Sequence, residues 1–251
     1  MDLKEFFTQH RRVAIAFSGG VDSAYLLWAA KLFAQEVRAY YVKSAFQPSF
    51  EYEDALRFSK EYDIPLHVIK ADILADSIVT SNPANRCYYC KRVIFSKILE
   101  EAQKDGFNIV LDGTNASDDV NDRPGVKALQ ELKVLSPLRE CGLTKTQIRK
   151  RSKEAGLFTW NKASYACLAT RIPSGTSITQ EDLEITEKAE SFLSQLGFTN
   201  FRVRMMNKKL AKMELCENQL KLFLENHEKI NSELKKYYSK VLLDLEMRNE
   251  Q

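Results

Sequence analysis

A short segment near the N-terminus has the composition of a phosphate-binding loop. It consists of Ser18, Gly19, Gly20, Val21, Asp22 and Ser23. Glycines let backbone N–H groups turn toward an anion, and the positive end of a following helix strengthens that attraction. The serines can donate hydrogen bonds to phosphate oxygens, whereas Asp22 would be repelled unless Mg²⁺ lay between them. The segment predicts a site for a polyphosphate and a divalent cation, against the alternative of a turn that only caps a helix.

A second polar segment follows the apolar run 108–112. It contains Gly113, Thr114, Asn115, Asp118, Asp119, Asp122 and Arg123. Because ligands bind beyond the carboxyl ends of parallel strands, we expect Gly113 and Thr114 to border the bound polyphosphate ligand. We also expect Asp122 to be a second Mg²⁺ contact and Arg123 to meet a phosphate. Glycine and Asx residues build ordinary turns as well, so this segment alone leaves that alternative open.

The five cysteines form an odd set that argues against a disulfide framework and favours metal or redox roles. Cys87 and Cys90 are three residues apart, which places both thiols on one helix face, close enough to ligate one metal centre. Cys167 lies in a loop-like stretch with basic residues on both sides. Cys141 and Cys216 are predicted to be packing thiols.

Short apolar runs alternate with amphipathic stretches through the first half of the chain, and these elements must position the chemistry. The runs that predict strands are 13–17, 37–43, 66–70, 108–112 and 134–136. The stretches that predict helices are 21–34, 50–61, 91–104 and 144–155. This alternation predicts βαβ units, and therefore an α/β fold with a mostly parallel sheet and helices on both faces.

The pattern changes after about residue 165. Thr179 with Asp182 predicts the start of a helix that ends at Gly197. The later predicted elements are strands at 201–206, 211–215 and 240–245 and a helix at 217–236. We therefore predict an α/β domain over residues 1–165 and a small α+β domain over 166–251.

Charge and hydropathy limit the partners of the chain. The 37 basic and 34 acidic side chains give a formal net charge of +3, too even to imply a nucleic-acid or membrane surface. No apolar run approaches the roughly 18 residues that span a bilayer. The first residues carry acids rather than the basic-then-apolar order of a signal peptide. We expect a cytoplasmic protein without a nucleic-acid or membrane partner.

The loop and its strand–helix context resemble the PP-loop of the ATP pyrophosphatases, a superfamily that includes GMP synthetases, NAD synthetases and tRNA-thiolating enzymes. The resemblance implies a Rossmann-like fold of the adenine nucleotide alpha hydrolase type, which binds ATP and Mg²⁺. ATP is cleaved between its α and β phosphates, leaving pyrophosphate and an adenylylated substrate. The resemblance also implies that Val42 and Ser44 contact adenine through the backbone. The loop lacks the Walker spacing, so γ-phosphate transfer is not expected.

Further segments resemble those of the LarE family, the ATP-dependent sulfur transferases of nickel-pincer nucleotide synthesis. They are the stretch 85–91 with Cys87 and Cys90, Asp112-Gly-Thr-Asn115 followed by Asp122-Arg-Pro-Gly125, Ser136-Pro-Leu138, and Cys167-Leu-Ala-Thr-Arg-Ile-Pro-Ser-Gly175. The resemblance implies adenylylation of a carboxylate on a pyridinium-3,5-biscarboxylate mononucleotide. Sulfur then attacks, AMP leaves and a thiocarboxylate results.

The same resemblance implies two sources of sulfur. Some members sacrifice the sulfur of a cysteine that matches Cys167 and end with dehydroalanine. Others have three cysteines, matching Cys87, Cys90 and Cys167, and are thought to hold a [4Fe–4S] cluster with one iron open to a sulfide donor. A structural zinc site would need four protein ligands, and no histidine stands out as the fourth. The cysteine trio favours the cluster, and sacrificial use of Cys167 stays open.

The family resemblance also implies a clamp for the substrate phosphate at Arg202 and Arg204, with a further acidic position at Glu190. Alternation along a strand puts the two arginines on one face, although surface strands also carry arginines for solubility. A trimer-based homo-oligomer is implied too, with the C-terminal domain serving the substrate, sulfur transfer and assembly. The segments 162–165 and 205–208 and the C-terminus depart from the family pattern, which leaves the acceptor open.

Two other functions remain open from the sequence. One is a different PP-loop enzyme, such as a tRNA thiolase or an amide-forming ligase, although the near-neutral charge does not favour tRNA. The other is a nucleotide-binding regulatory protein that has lost catalysis, against which the retained Ser18, Asp22 and Ser23 argue.

Overall fold

The computed structural model describes residues 1–119 and 124–249, which form two compact units. The first consists of Met1–Ile73 and Asn85–Lys162, and the second of Leu74–Ala84 and Ala163–Gln251. The predicted domain boundary at residue 165 stays a prediction, because a compact unit need not be an independently folding domain.

Strands and helices alternate along the first unit. Its strands are β1 (Arg12–Ala16), β2 (Glu36–Lys43), β3 (Leu66–Lys70) and β4 (Val110–Leu111). The helices in the order of the chain are α1 (Leu3–Gln9), α2 (Val21–Phe33), α3 (Ser49–Glu61), α4 (Ser77–Thr80), α5 (Arg86–Lys104), α6 (Pro124–Glu131), α7 (Pro137–Glu140) and α8 (Lys145–Glu154), of which α4 belongs to the second unit.

The four strands form a parallel sheet in the order β3-β2-β1-β4. Alternate residues of β1 face different cores: Val13 and Ile15 pack in a cluster with side chains of α2 and α8, and Ala14 packs in a cluster with side chains of α5 and α6. Helices therefore cover both faces of the sheet, which explains why β1 has an almost unbroken apolar sequence. The predicted α/β class is confirmed.

Two predictions of secondary structure in this unit were wrong, one strand and one helix boundary. Among the described residues the stretch 134–136 forms one isolated bridge, between Leu135 and Leu111, and no strand. Pro137 has no N–H to donate to a ladder and instead begins α7. Helix α5 begins at Arg86, before the start predicted at residue 91, so Cys87 and Cys90 do lie in its first turn, as their spacing predicted. The tyrosines and cysteines of that turn are only moderate helix formers, which is why the predicted helix began too late.

The second unit has its own sheet and core. Its elements are α9 (Gln180–Gln195), β5 (Arg202–Asn207), β6 (Leu210–Glu214), α10 (Leu220–Leu234) and β7 (Lys240–Leu243), with 3₁₀ turns at Leu168–Arg171 and Glu217–Gln219. Strand β6 pairs antiparallel with β5 and parallel with β7, and apolar side chains of α9 and α10 join those of the sheet in one core. The Thr179 side chain accepts a hydrogen bond from the Asp182 N–H and caps α9, as predicted.

The segment 74–84 belongs to the second unit although the first unit flanks it in sequence. The fully buried Asn82 donates its side-chain amide to the carbonyl oxygen of Pro173 at 2.8 Å. Its own carbonyl accepts from the Gly175 N–H at 2.8 Å, and the Thr80 carbonyl accepts from the Ile178 N–H.

Within the described ranges, no helix is both long and apolar enough to cross a membrane.

Candidate functional site

The phosphate loop joins the end of β1 to the start of α2. The Ser18 and Ser23 hydroxyl oxygens are 3.1 Å apart, and the Gly20 N–H and the Ser18 hydroxyl oxygen are 3.4 Å apart, so side chains hold the loop in shape. Gly20 is the N-cap of α2 and has no side chain to occupy the first N–H groups of the helix. No side-chain cap therefore competes with an anion for those N–H groups and the positive helix end.

Gly19 is required by the shape of this loop. Its φ of +73° lies in the left-handed region, which side chains with a Cβ rarely adopt. A Cβ there would also lie 3.0 Å from the carbonyl oxygen of Glu51 in α3. The glycine thus serves both the turn and the close approach of a neighbouring helix.

Asp22 has two oxygens in different surroundings. Its Oδ2 accepts from the Lys145 ammonium at 2.6 Å, while its Oδ1 is buried and has no hydrogen-bond partner within the described ranges. Burial raises the pKa of Asp22 above its usual range, although Lys145 opposes the shift. A buried carboxylate oxygen without a partner beside a phosphate loop fits a ligand for Mg²⁺.

The end of β4 lies against the start of α2. A Cβ on Gly113 would stand 2.9 Å from the Ser23 backbone nitrogen, so the two backbones touch directly. The buried Asp112 next to it accepts from the Ser136 hydroxyl at 2.6 Å and from the Thr114 hydroxyl. The predicted contacts at Asp122 and Arg123 lie outside the described residues.

The predicted adenine contacts follow the neighbouring strand. Val42 is buried in β2, and the Ser44 hydroxyl donates to the side-chain oxygen of Gln47 at 2.6 Å. Because β1, β2 and β4 are parallel, their carboxyl ends meet at one edge of the sheet. The structure thus gathers the loop, the segment 42–44 and the segment 112–114 at that edge, as the sequence predicted, while their roles stay predictions.

Two lysines that sequence reasoning missed also contact the loop. Lys145 pairs with Asp22, and Lys162 donates to the Gly19 carbonyl at 3.0 Å and to the Asp54 carboxylate at 2.5 Å. The signal for Lys145 was a cation directly after the capping residue Thr144, where a helix dipole disfavours positive charge. Lys162 carries no comparable local signal, because its partners are far away in sequence.

The cysteines of the predicted trio belong to both units. Cys87, which is exposed, and Cys90, which is half-buried, lie in the first turn of α5, whereas the half-buried Cys167 precedes a 3₁₀ turn of the second unit. In the part of the chain that the structure describes, no three His, Cys, Asp or Glu side chains form a group that could hold a metal ion. Cys216 is buried, and Cys141 packs against the core of the first unit.

A buried ionic cluster occupies the second unit around Glu190. Its carboxylate accepts from the Arg171 guanidinium at 2.7 and 3.0 Å, from the Val203 N–H at 2.8 Å and from the Tyr165 hydroxyl. Both Arg171 and Glu190 are almost fully buried. The four bonds satisfy the carboxylate and fix the start of β5 against α9.

The two predicted clamp arginines share one face of β5, because Val203 between them points into the core. Arg202 is buried and donates to the carbonyl oxygens of Phe201 and Ser164, each at 2.7 Å. Burial lowers the pKa of Arg202 to about 10. Arg204 pairs with Glu214 at 2.6 Å. The shared face was predicted correctly, and the phosphate role of this face stays a prediction.

The parallel sheet, the phosphate loop at the carboxyl end of β1 and the polar ends of β2 and β4 define a PP-loop domain. A pyridinium-3,5-bisthiocarboxylic acid mononucleotide synthase of Lactiplantibacillus plantarum is 33% identical over 238 residues, which are 94% of this chain and 86% of the relative. An uncharacterized protein of Synechocystis sp. is 35% identical over 229 residues, 90% of this chain and 84% of the relative.

A tRNA-specific 2-thiouridylase of Pseudothermotoga lettingae is 28% identical over 202 residues, 65% of this chain and 57% of the relative. No established family model matches the sequence. The chain belongs to the LarE family, as its motifs predicted.

Replacement of Gly113 by alanine is expected to weaken ATP binding at least about fivefold, because overpacking of about 1–3 kcal/mol would push the chain away from Ser23. Isothermal titration with ATP measures the effect. Gly156→Ala is the control, since its φ of +70° makes the alanine strained while nothing lies within 4 Å of the added Cβ. Equal loss of ATP affinity in both variants would contradict a specific role for the contact between Gly113 and Ser23.

Removal of the Glu190 carboxylate is expected to destabilise the second unit strongly. Glu190→Ala leaves the Arg171 guanidinium buried without its counter-charge, which costs about 3–5 kcal/mol. Urea denaturation followed by circular dichroism measures the loss. Glu154→Ala in the exposed pair with Lys150 is the matched control and is expected to cost under about 1 kcal/mol. Similar losses for both variants would show that burial of the pair has no energetic consequence.

Proposed function

We propose that this chain is an ATP-dependent sulfur transferase that converts a carboxylate of a pyridinium mononucleotide to a thiocarboxylate. The observation that carries the proposal is the phosphate loop with the buried Oδ1 of Asp22, which has no hydrogen-bond partner among the described residues, in a chain of the LarE family. Family membership supports an ATP-using, sulfur-transferring enzyme. The acceptor is inferred from the Lactiplantibacillus relative, whose name gives a pyridinium-3,5-bisthiocarboxylic acid mononucleotide as its product, and the product here would serve nickel-pincer nucleotide synthesis.

The first step activates the acceptor. One of its carboxylate oxygens attacks the α-phosphorus of ATP, the bond from that phosphorus to the α–β bridging oxygen breaks, and pyrophosphate leaves. The loop N–H groups and the N-terminus of α2 would bind the leaving pyrophosphate, with Lys162 close to the loop at Gly19. When bound, Mg²⁺ would neutralise phosphate charge, and Asp22 would hold it through Oδ1.

The second step replaces oxygen with sulfur. Hydrosulfide attacks the acyl carbon of the adenylate, the bond from that carbon to the AMP oxygen breaks, and AMP leaves with the electron pair. The thiol proton of the product is released to solvent, which leaves a thiocarboxylate. No oxidant or reductant is needed, because carbon and sulfur keep their oxidation states through the exchange.

Three cysteines are the candidates for delivering the sulfur. Thiolates are the donors that iron–sulfur clusters use, and Cys87 and Cys90 lie one helical turn apart, which fits two ligands of one cluster. Together with Cys167 they would hold a [4Fe–4S] cluster, which supplies an open iron position for sulfide. In the alternative, the Cys167 thiolate attacks the acyl carbon of the adenylate, the bond from that carbon to the AMP oxygen breaks, and AMP leaves to give a thioester. The Cβ–Sγ bond of Cys167 then breaks as its α-proton is lost to solvent, which releases the thiocarboxylate and leaves dehydroalanine.

The phosphate of the acceptor would bind to the arginine face of β5. The Arg202 guanidinium is buried, and its hydrogen bonds to Phe201 and Ser164 go to neutral carbonyls. The carboxylate of Glu190 is already engaged by Arg171. A substrate phosphate would give Arg202 a counter-charge. That charge would stabilise the buried guanidinium strongly, because a buried charge without a partner is costly. Arg204 would complete the clamp.

A trimer-based homo-oligomer stays a prediction that sedimentation velocity can check. The cytoplasmic location also stays a prediction.

Reaction of the enzyme with ATP, Mg²⁺ and a pyridinium-3,5-biscarboxylate mononucleotide is expected to release AMP and pyrophosphate in equal amounts, measured by ³¹P NMR. Asp22→Asn is expected to slow the release at least about a hundredfold, because a charged group at the reacting phosphates is lost. Asp63→Asn, at a fully exposed acid, is the control and is expected to be neutral. Release of ADP and phosphate, or activity with tRNA only, would contradict the proposal.

The enzyme purified without oxygen is expected to be brown and to contain about 4 Fe per chain. Cys87→Ala is expected to lose the iron, and Cys141→Ala, which removes a packing thiol, is expected to keep it. Iron and sulfide analysis with a visible spectrum makes the measurement. A colourless protein after anaerobic reconstitution would exclude the cluster, and loss of H₂S from Cys167 by mass spectrometry after turnover would identify the sacrificial route.

A further inference from the structure

We infer that Lys145 is a positioning residue that makes binding of the divalent cation at Asp22 depend on ATP. Its ammonium competes with the cation for the carboxylate, and the phosphates of ATP, when bound, offer the ammonium another partner. The inference rests on the proposed function, because it assumes that Asp22 holds the cation of an ATP-cleaving site.

The ion pair itself is the first support. Lys145 Nζ lies 2.6 Å from Asp22 Oδ2, and both side chains are less than one-third exposed. Solvent therefore screens this attraction less than that of a surface pair, so the ammonium is an effective competitor for a cation. Oδ1 of the same carboxylate lacks a partner within the described ranges, which leaves a point of entry for the metal.

The place of Lys145 in its helix is the second support. Lys145 is the first residue of α8, directly after the N-cap Thr144, and the positive helix end disfavours a cation there. The capping box of Thr144 with Gln147 and the bond from the Lys145 N–H to the Ser117 hydroxyl at 3.0 Å fix its backbone. The helix dipole thus disfavours the Lys145 ammonium at this position. The nearby Asp22 carboxylate offsets that unfavourable interaction.

Among the residues that the structure describes, the other charges that face Asp22 leave Lys145 as its direct counter-charge. They are Asp118, which is a like charge, and Arg149, one turn further along α8. The Arg149 guanidinium donates to the carbonyls of Trp160 and Lys162, at 3.0 and 2.9 Å, so it is held in place by backbone. A cation that approaches Asp22 alone meets the Lys145 ammonium, whereas a cation that arrives with a polyphosphate brings negative charge for it.

Binding of Mn²⁺ in place of Mg²⁺, followed through the EPR signal of the free ion, tests the inference on the full chain. Without nucleotide, Lys145→Met is expected to bind Mn²⁺ at least about tenfold more tightly than the wild type, because one repelling charge is gone. With α,β-methylene-ATP, which cannot be cleaved at the reacting bond, the wild type is expected to gain more affinity for Mn²⁺ than the variant gains.

Matched variants separate this role from a structural one. Lys145→Arg keeps the charge and is expected to behave like the wild type, and Lys150→Met removes an exposed lysine of the same helix and is expected to change nothing. Lys145→Gln repeats the measurement if the methionine variant does not fold.

Two results would overturn the inference: neutral variants at 145 that bind Mn²⁺ no more tightly than the wild type, or Mn²⁺ binding that Asp22→Asn leaves unchanged. Release of AMP and pyrophosphate by the wild type tests the proposed function separately, because Mn²⁺ binding without nucleotide needs no acceptor.

Discussion

The direct contact between the backbones of Gly113 and Ser23 is the constraint on which the candidate site depends. It joins the end of β4 to the first turn of α2, and only a residue without a Cβ permits it. Since β1 lies between β2 and β4, the same contact sets the loop at the sheet edge where three strand ends meet. The positions of the hydroxyls, amides and carboxylates of the site follow from this backbone packing, because a close-packed interior has little room to shift.

Carboxylates that accept hydrogen bonds from residues distant in sequence connect separate parts of each unit. In the first unit, Asp22 and Asp54 receive lysines from α8 and from the segment that follows it, and Asp112 receives the hydroxyl of Ser136. In the second unit, Glu190 joins α9 to β5 and to the 3₁₀ turn after Cys167. Glu190 is buried and would be costly to bury without these partners, so it selects a single arrangement of its neighbours.

Local signals in the sequence predicted most of the helices and strands of both units. The features that they did not predict depend on contacts between residues distant in sequence. The strand 66–70 and the cap of α9 at Thr179 followed from apolar pattern and capping chemistry. The prediction of a strand at 134–136 was wrong. The stretch is apolar like a strand, but Pro137, which follows it, has no N–H for a ladder hydrogen bond and begins α7. The partners of Lys145 and Lys162 lie 123 and 143 residues away, and no local pattern encodes such a distance.

The segment 74–84 has a consequence for synthesis of the chain. Asn82 bonds to Pro173, which lies 91 residues later. At about 5–20 residues per second, a ribosome delivers that partner roughly 5–20 s after Asn82. The segment therefore lacks its contacts with Pro173, Gly175 and Ile178 while the polypeptide that follows it is still being made. Five of the seven residues in its central part, Asp-Ser-Ile-Val-Thr-Ser-Asn, are polar, which limits the apolar surface open to premature association in that interval.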